Sequence, residues 1–262
     1  MTMERRKFIS LSAGAFGALS FSASSYARIL GANDRVNVGF MGTKSRGMGL
    51  LGSFAKMQGV NLTHNCDVDS RVLKKTHHAI IRAGFEPPKS DKDIRRILED
   101  PTLDALVIAA PDHWHATAGV MALEAGKHVY VEKPLSHNPH EGEIFISAQD
   151  KYKKVVQMGN QQRSSAESIE LMMLIEKGVL GNIYRAETWY GNNRGSIGNG
   201  NSTPPPSWLD WNLWQGPAPR RPYKDIYVHY NWHWFWHWGT GEICNNAAHE
   251  LDIARWAMGL DF

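Results

Sequence analysis

Val36, Val38 and Phe40 alternate with smaller or polar neighbours and run into a glycine-bearing turn, Gly42 to Gly47, which predicts a strand, a turn and a helix in that order. The helix is expected over 46–57, a second strand over 60–66 and a charged helix over 70–83. A short helix over 91–98 then leads to a strongly apolar strand over 105–110, a helix over 116–125 that closes at Gly126, and a short strand over 128–131. A further strand is read over 155–158 and a helix over 165–177. Strands and helices that alternate at this spacing predict an α/β fold, with a parallel sheet covered by helices on both faces.

Beyond 177 the pattern changes and the chain becomes rich in glycine, asparagine, proline and tryptophan. Nine of its ten tryptophans lie from Trp189 onward, which marks a second region with a different ligand. The expected organisation is an N-terminal segment at 1–27, a linker at 28–34, a Rossmann-like cofactor domain at 35–157 and a substrate domain at 158–262.

Composition sharpens this only in places. With 262 residues, 42% hydrophobic and 21% charged, the chain can bury a sizeable core and is not of a disordered type. The net charge of +3 includes a basic N-terminal segment, and no later cluster of lysine and arginine interleaves with aromatics, so a nucleic-acid surface is not expected. Two cysteines, Cys66 and Cys244, make neither a disulfide framework nor a cysteine metal site, and no metal is expected. At the start, Arg5, Arg6 and Lys7 precede Phe8, Ile9 and a small-residue apolar run from Leu11 to about Phe21, the layout of a secretory signal. The paired arginines resemble the twin-arginine type, and Ser25 and Ala27 offer small residues for cleavage after Ala27. The apolar run is shorter than the ~20 residues that span a bilayer, so no stable membrane anchor is expected.

The candidate chemistry sits at strand ends. Gly42, Thr43, Lys44, Ser45, Arg46 and Gly47 stand where a dinucleotide fingerprint belongs, with Lys44 in place of the second glycine. Asp67, twenty residues past Gly47, is placed to accept from ribose hydroxyls and to repel a 2′-phosphate, which favours NAD and leaves NADP as the alternative. Ala110, Pro111 and His115 follow the third long strand, and Glu132, Lys133 and Pro134 follow the next. His115 could be only a helix cap, but Lys133 is badly placed for a freely solvated head group. Tyr227, Tyr230, Trp232, Trp234, Phe235, Trp236 and Trp238 crowd twelve residues together with His229, His233 and His237, a combination suited to the apolar faces and hydroxyl rims of sugars or, alternatively, to an aromatic core.

The words GFMGTKSRG, NCDVD, AAPDHWH, EAGKHVYVEKP, GNQQRS and GTGEICNNAAHELDIARW resemble the Gfo/Idh/MocA oxidoreductase family, named for glucose-fructose oxidoreductase and inositol dehydrogenase. The resemblance implies a Rossmann domain followed by an α/β domain whose open mixed sheet carries the substrate site. Members are usually longer, so the second domain reads as truncated, and a homo-oligomer through the C-terminal sheet is implied for the full-length form. The family's catalytic lysine falls on Lys133. Its Asp and His pair, four apart on a helix, falls on Asn245 and His249, a departure shared with the secreted branch that the sequence also resembles.

Wound as one helix, the stretch puts Asn245, His249, Asp252 and Trp256 on a cleft-facing side and Ala247, Leu251, Ala254 and Met258 on a packing side. A core histidine satisfied by Asp252 is the plainer alternative. Arg163 and Trp236 join Lys133, Asn245, His249 and Asp252 as expected sugar contacts. The expected function is hydride exchange between nicotinamide and a sugar or polyol carbon, with Lys133 on the reacting oxygen and His249 as proton acceptor, in the periplasm or outside the cell. Two rivals are an NAD-dependent glycosidase that oxidises only transiently and a sugar-binding relative without turnover, the latter favoured by Lys44 and Asn245.

Overall fold

A computed structural model describes residues 35–260; the expected signal at 1–27 and linker at 28–34 lie outside the described residues. Six strands, β1 (Val36–Met41), β2 (Val60–Cys66), β3 (Lys89–Asp91), β4 (Ala105–Ile108), β5 (His128–Glu132) and β6 (Val156–Gly159), form one parallel sheet in the order β3-β2-β1-β4-β5-β6. This doubly wound order reverses between β1 and β4, where a crevice opens at the carboxyl ends of the strands.

Strand periodicity explains both cores. Val38, Phe40, Leu62 and Val107 face one side, where they pack with Leu50 and Leu51 of α1 (Ser45–Phe54) and Ile80 of α2 (Ser70–Arg82). Met41, Leu106, Ile108, Val129 and Val131 face the other, against α3 (Ile94–Leu98), α4 (Asp112–Glu124) and α5 (Pro139–Tyr152). Each aliphatic chain fully withdrawn from water contributes about 2 kcal/mol, so a sheet covered on both faces holds its strand ends firmly beneath the site.

Several boundaries differ from the expectation. Residues 89–91 pair with β2 as an edge strand, and α3 begins only after Asp93, whose carboxylate caps the Arg95 N–H. Helix α4 starts at Asp112 rather than 116, because Pro111 takes the cap position in extended conformation and presets the first turn. Helix α5 was not expected; Asn138 caps it and Pro139 opens it.

After β6 come a 3₁₀ turn (Gln161–Ser164) and α6 (Ala166–Glu176). The expected mixed sheet does not form among the described residues: the stretch 183–190 finds no neighbouring strand and leaves Tyr184 and Trp189 exposed, and only the isolated antiparallel bridges Asp69 to Leu209 and Ser202 to Lys224 occur. Instead, Leu209, Trp211, Trp214, Tyr223 and Trp238 make a third buried cluster around α7 (Trp211–Gln215), with Tyr227, Trp232 and Phe235 against it. Backbone bonds tie this cluster to the sheet, from Ser70 N to Trp208 O, Asp210 N to Val68 O and His113 N to Trp238 O. A 3₁₀ turn (Asn231–Trp234), a π-helical turn (Ile243–Ala247) and α8 (Ala248–Ala257) complete the order. No helix of the described residues is long and apolar enough to cross a membrane.

Candidate active site

The crevice at the strand-order reversal is a cleft of about 500 Å³, within the range of small-molecule sites. Its floor is the glycine turn. Gly42 has φ +78°, and a Cβ there would lie 2.7 Å from Ala109 O, while a Cβ on Gly47 would lie 2.0 Å from Gly42 O, so only glycine fits either position. Lys44 occupies the cap position of α1 with no side-chain cap, which leaves the helix N-terminus for an anion. Gly42, Lys44, Ser45 and Arg46 line the cleft. Thr43 and Gly47 lie buried beneath it, and the Thr43 N–H is already donated to Asp67 Oδ2 at 2.8 Å.

Asp67 marks one end. Its second oxygen accepts from Asp69 N at 2.9 Å, so two backbone donors aim the carboxylate into the cleft. Burial raises its pKa, and those two N–H groups oppose the rise. Asp69, with 0% side-chain exposure, binds Arg71 through two guanidinium nitrogens and lies 2.9 Å from His229 Nε2. Arg71 stacks over Trp208 at 3.5 Å and Trp208 stacks on His229, so the tryptophan region is pinned as a wall of the cleft by one buried charge.

At the other end, Lys133 Nζ donates to the carbonyl oxygens of Asn245 and, at 3.4 Å, Cys244. The π-helical turn explains these acceptors, since it breaks the regular ladder and leaves carbonyls free for a side chain. Burial lowers the Lys133 pKa, opposed by the charges of Asp112 and Glu132. His249 lines the same cleft, its Nε2 3.5 Å from Gln161 Nε2, and burial followed by the Lys133 charge lowers its pKa. Arg46 Nε meets Glu132 Oε1 at 2.7 Å, a pair that links the glycine turn to the lysine triplet. His115 is buried with its ring nitrogens 2.5 Å from Pro134 O and 2.8 Å from Ala110 O, which locks the two strand-end loops together. Asp112 accepts from the Thr240 hydroxyl at 2.6 Å and its N–H at 3.1 Å, anchoring the approach to the π turn.

The structure therefore brings together Asp67, Ala110, Pro111, His115, Glu132, Lys133, Asn245 and His249 with the glycine turn. Arg163 and Asp252 do not line the cleft; they pair with each other at 2.8 Å, and Arg163 covers Trp256 at 5.2 Å. Asp252 is thus not the partner of His249. Trp236 lies in a different cleft. On the expected packing face of the last helix Leu251 is 51% exposed, while Ala247, Ala254 and Met258 are half-buried. Tyr230 and Trp232 of the aromatic segment line the cleft, as do Gln161 and Asn246, which were not singled out from the sequence; Gln161 lies two residues past the end of β6, the position that could have flagged it. Among the described residues no group of three or more His, Cys, Asp or Glu is placed to hold a metal.

An uncapped helix N-terminus over a tight glycine turn, followed by a carboxylate whose two oxygens are aimed by backbone donors, fits the pyrophosphate and ribose of a nicotinamide dinucleotide. Residues 36–160 match the model of the oxidoreductase family with an NAD-binding Rossmann fold, and residues 174–262 match that family's C-terminal alpha/beta domain. The chain belongs to the Gfo/Idh/MocA oxidoreductase family.

Among curated members, it is 26% identical over 161 residues to a "Glycosyl hydrolase family 109 protein" of Shewanella pealeana, a match covering 60% of this chain and 35% of that protein. The chain thus spans about a third of the length of the curated relatives it matches. Among solved structures of the fold, an aldose-aldose oxidoreductase from Caulobacter crescentus superposes with TM-score 0.66 at 20% identity, over 86% of this chain and 58% of that one. The WlbA dehydrogenase from Bordetella pertussis, in complex with NADH and UDP-GlcNAcA, gives 0.63 at 20% identity, over 85% and 55%.

Proposed function

We propose that the protein is a nicotinamide-dependent oxidoreductase acting on a hydroxyl-bearing carbon of a sugar or polyol, with NAD preferred over NADP. The observation that carries this reading is Lys133, half-buried at the end of β5, fixed by two π-turn carbonyls and sharing one cleft with His249 and Asp67. A bound nicotinamide supplies the hydride acceptor. Two carbonyls fix the Lys133 ammonium, and its remaining hydrogen, held only by a long 3.5 Å bond to Asn245 Oδ1, turns to the substrate oxygen and favours its alkoxide. His249 stays neutral to a pH below that of an ordinary imidazole and takes the hydroxyl proton, the substrate hydroxyl displacing the long 3.5 Å approach of the Gln161 amide to Nε2. Asn245 cannot ionise; its part is to hold the lysine through its backbone oxygen and, at 3.5 Å, its side-chain oxygen. Asp67 accepts from the ribose diol, and its charge disfavours a 2′-phosphate at the same place.

The test is single-turnover formation of reduced nicotinamide when the protein, loaded with NAD, meets a panel of monosaccharides, oligosaccharides, glycosides and polyols. Reduction with at least one of them is expected; none with any, despite bound NAD, refutes the reading. A second reading, transient oxidation during glycoside cleavage without net redox change, is favoured by the glycosyl hydrolase naming of the curated relatives. Release of an aglycone over many turnovers with no accumulation of reduced cofactor identifies it.

A further inference from the structure

A second cleft, of about 420 Å³, lies behind the wall of the first. His113 lines it, while the residues on either side, Asp112 and Trp114, line the cofactor cleft, so one turn of α4 separates the two. Trp236 stands on its rim with 84% of its surface exposed, while Trp238, two residues on, is 1% exposed in the tryptophan core. Among the described residues Trp236 joins none of the ring stacks that hold the other members of that segment. An indole withheld from a core that its neighbours build, beside the apolar rings of Pro217 and Pro219, is a flat apolar platform.

The rest of the rim is polar, with Glu141 its one carboxylate. Glu141 accepts from His137 N at 3.1 Å and from Asn138 Nδ2 at 2.9 Å; His137 Nε2 lies 3.4 Å from Gly239 O, and His237 contacts Arg221. The carboxylate of Glu141 disfavours a phosphate or carboxylate ligand; neither lysine nor arginine lines the cleft to counter it, Arg221 lying behind His237. A neutral ring with one apolar face and a rim of hydroxyls satisfies both the platform and the imidazole, amide and carboxylate groups around it.

We infer that this cleft is a carbohydrate subsite, which binds a pyranose unit on Trp236. With the cofactor cleft one helical turn away, it makes the substrate class a glycoside or oligosaccharide rather than a free monosaccharide, an inference that rests on the sugar chemistry proposed above. The buried His113, its ring 2.9 Å from Trp214 O, keeps the dividing wall rigid.

The test is calorimetric titration of the full chain, loaded with NAD, with cellotriose, maltotriose and triacetylchitotriose, each against its monosaccharide. At least one trisaccharide is expected to bind more tightly than its monomer, and Trp236→Ala to weaken that binding about tenfold, equivalent to about 1.4 kcal/mol. Trp236→Phe should retain most of it. The ring is exposed, so the NAD titration and thermal melt of the alanine variant should match the parent protein. Failure of all three trisaccharides to bind, or equal affinity in Trp236→Ala, overturns the subsite. If Trp236-dependent binding is seen but no sugar reduces the nicotinamide, the catalytic reading fails and the subsite stands. If a sugar reduces the nicotinamide while trisaccharide affinity is indifferent to Trp236, the subsite fails and the catalytic reading stands.

Discussion

Replacing Asp69 with asparagine isolates the charge that pins the tryptophan region to the sheet. Asparagine still caps α2, so the Arg71 and Val72 N–H groups keep an acceptor and the loss is confined to the ionic bond with Arg71 and the hydrogen bond from His229. Burial by itself raises the Asp69 pKa, but the hydrogen bonds from Arg71 and His229 outweigh it and bring the value from 3.8 to about 2. At about 1.36 kcal/mol per unit this is about 2 kcal/mol of stability. The folded carboxyl titrates below the unfolded one, so the contribution is complete above the unfolded value of 3.8 and is lost as pH falls through the folded value of about 2. Urea unfolding should show the variant less stable by about 2 kcal/mol at pH 5 to 7, with the gap narrowing to about 1 kcal/mol at pH 3. NAD affinity should fall with it, because His229 loses its anchor on the cleft wall. A gap that is absent, or that does not change between pH 5 and pH 3, would refute the assignment of this charge as the pin.

Gly42→Ala should abolish detectable NAD binding in a fluorescence titration, because a Cβ at φ +78° and 2.7 Å from Ala109 O must displace the turn; normal affinity would contradict the turn's role. Arg46→Gln removes a charge that lowers the pKa of both Lys133 and His249 and frees Glu132, which raises both. Activity needs neutral His249 on its acid side and charged Lys133 on its alkaline side, so both limbs of the pH profile should move upward, and Arg46→Lys should restore them; an unmoved profile counts against the coupling. We further propose twin-arginine export: lysine at both Arg5 and Arg6 should strand the precursor in the cytoplasm on fractionation, and unchanged export would refute the route.

The Rossmann half was largely legible because its strands are buried on both faces and bounded by glycine and charged turns; β2 and the sides taken by Val38, Phe40 and Met41 follow directly from the alternation. Helix α5 escaped because its sequence buries only Gly142, Phe145 and Ala148 and leaves Ile144 and Ile146 exposed, so no clear apolar stripe marks it. The lysine triplet was readable at a strand end, but its carbonyl partners were not, since a 3.6-residue period gives no warning of a π turn. Along the polar stripe Asn245 and His249 reach the cleft, whereas Asp252, three residues further along α8, pairs with Arg163. Composition flagged the aromatic segment without sorting it; which ring is core and which is platform depends on loop packing that places Trp238 inside and Trp236 outside.

In the proposed mechanism Lys133 acts on the reacting oxygen and not on the dinucleotide. The measurement is the single-turnover rate of nicotinamide reduction by Lys133→Met beside the parent protein, with NAD affinity measured on the same samples. The rate should fall by more than a hundredfold, about 3 kcal/mol of transition-state stabilisation, while NAD affinity changes by less than about threefold. A variant that reduces the cofactor at the parent rate, or that loses NAD in proportion to its activity, would rule out that role for Lys133.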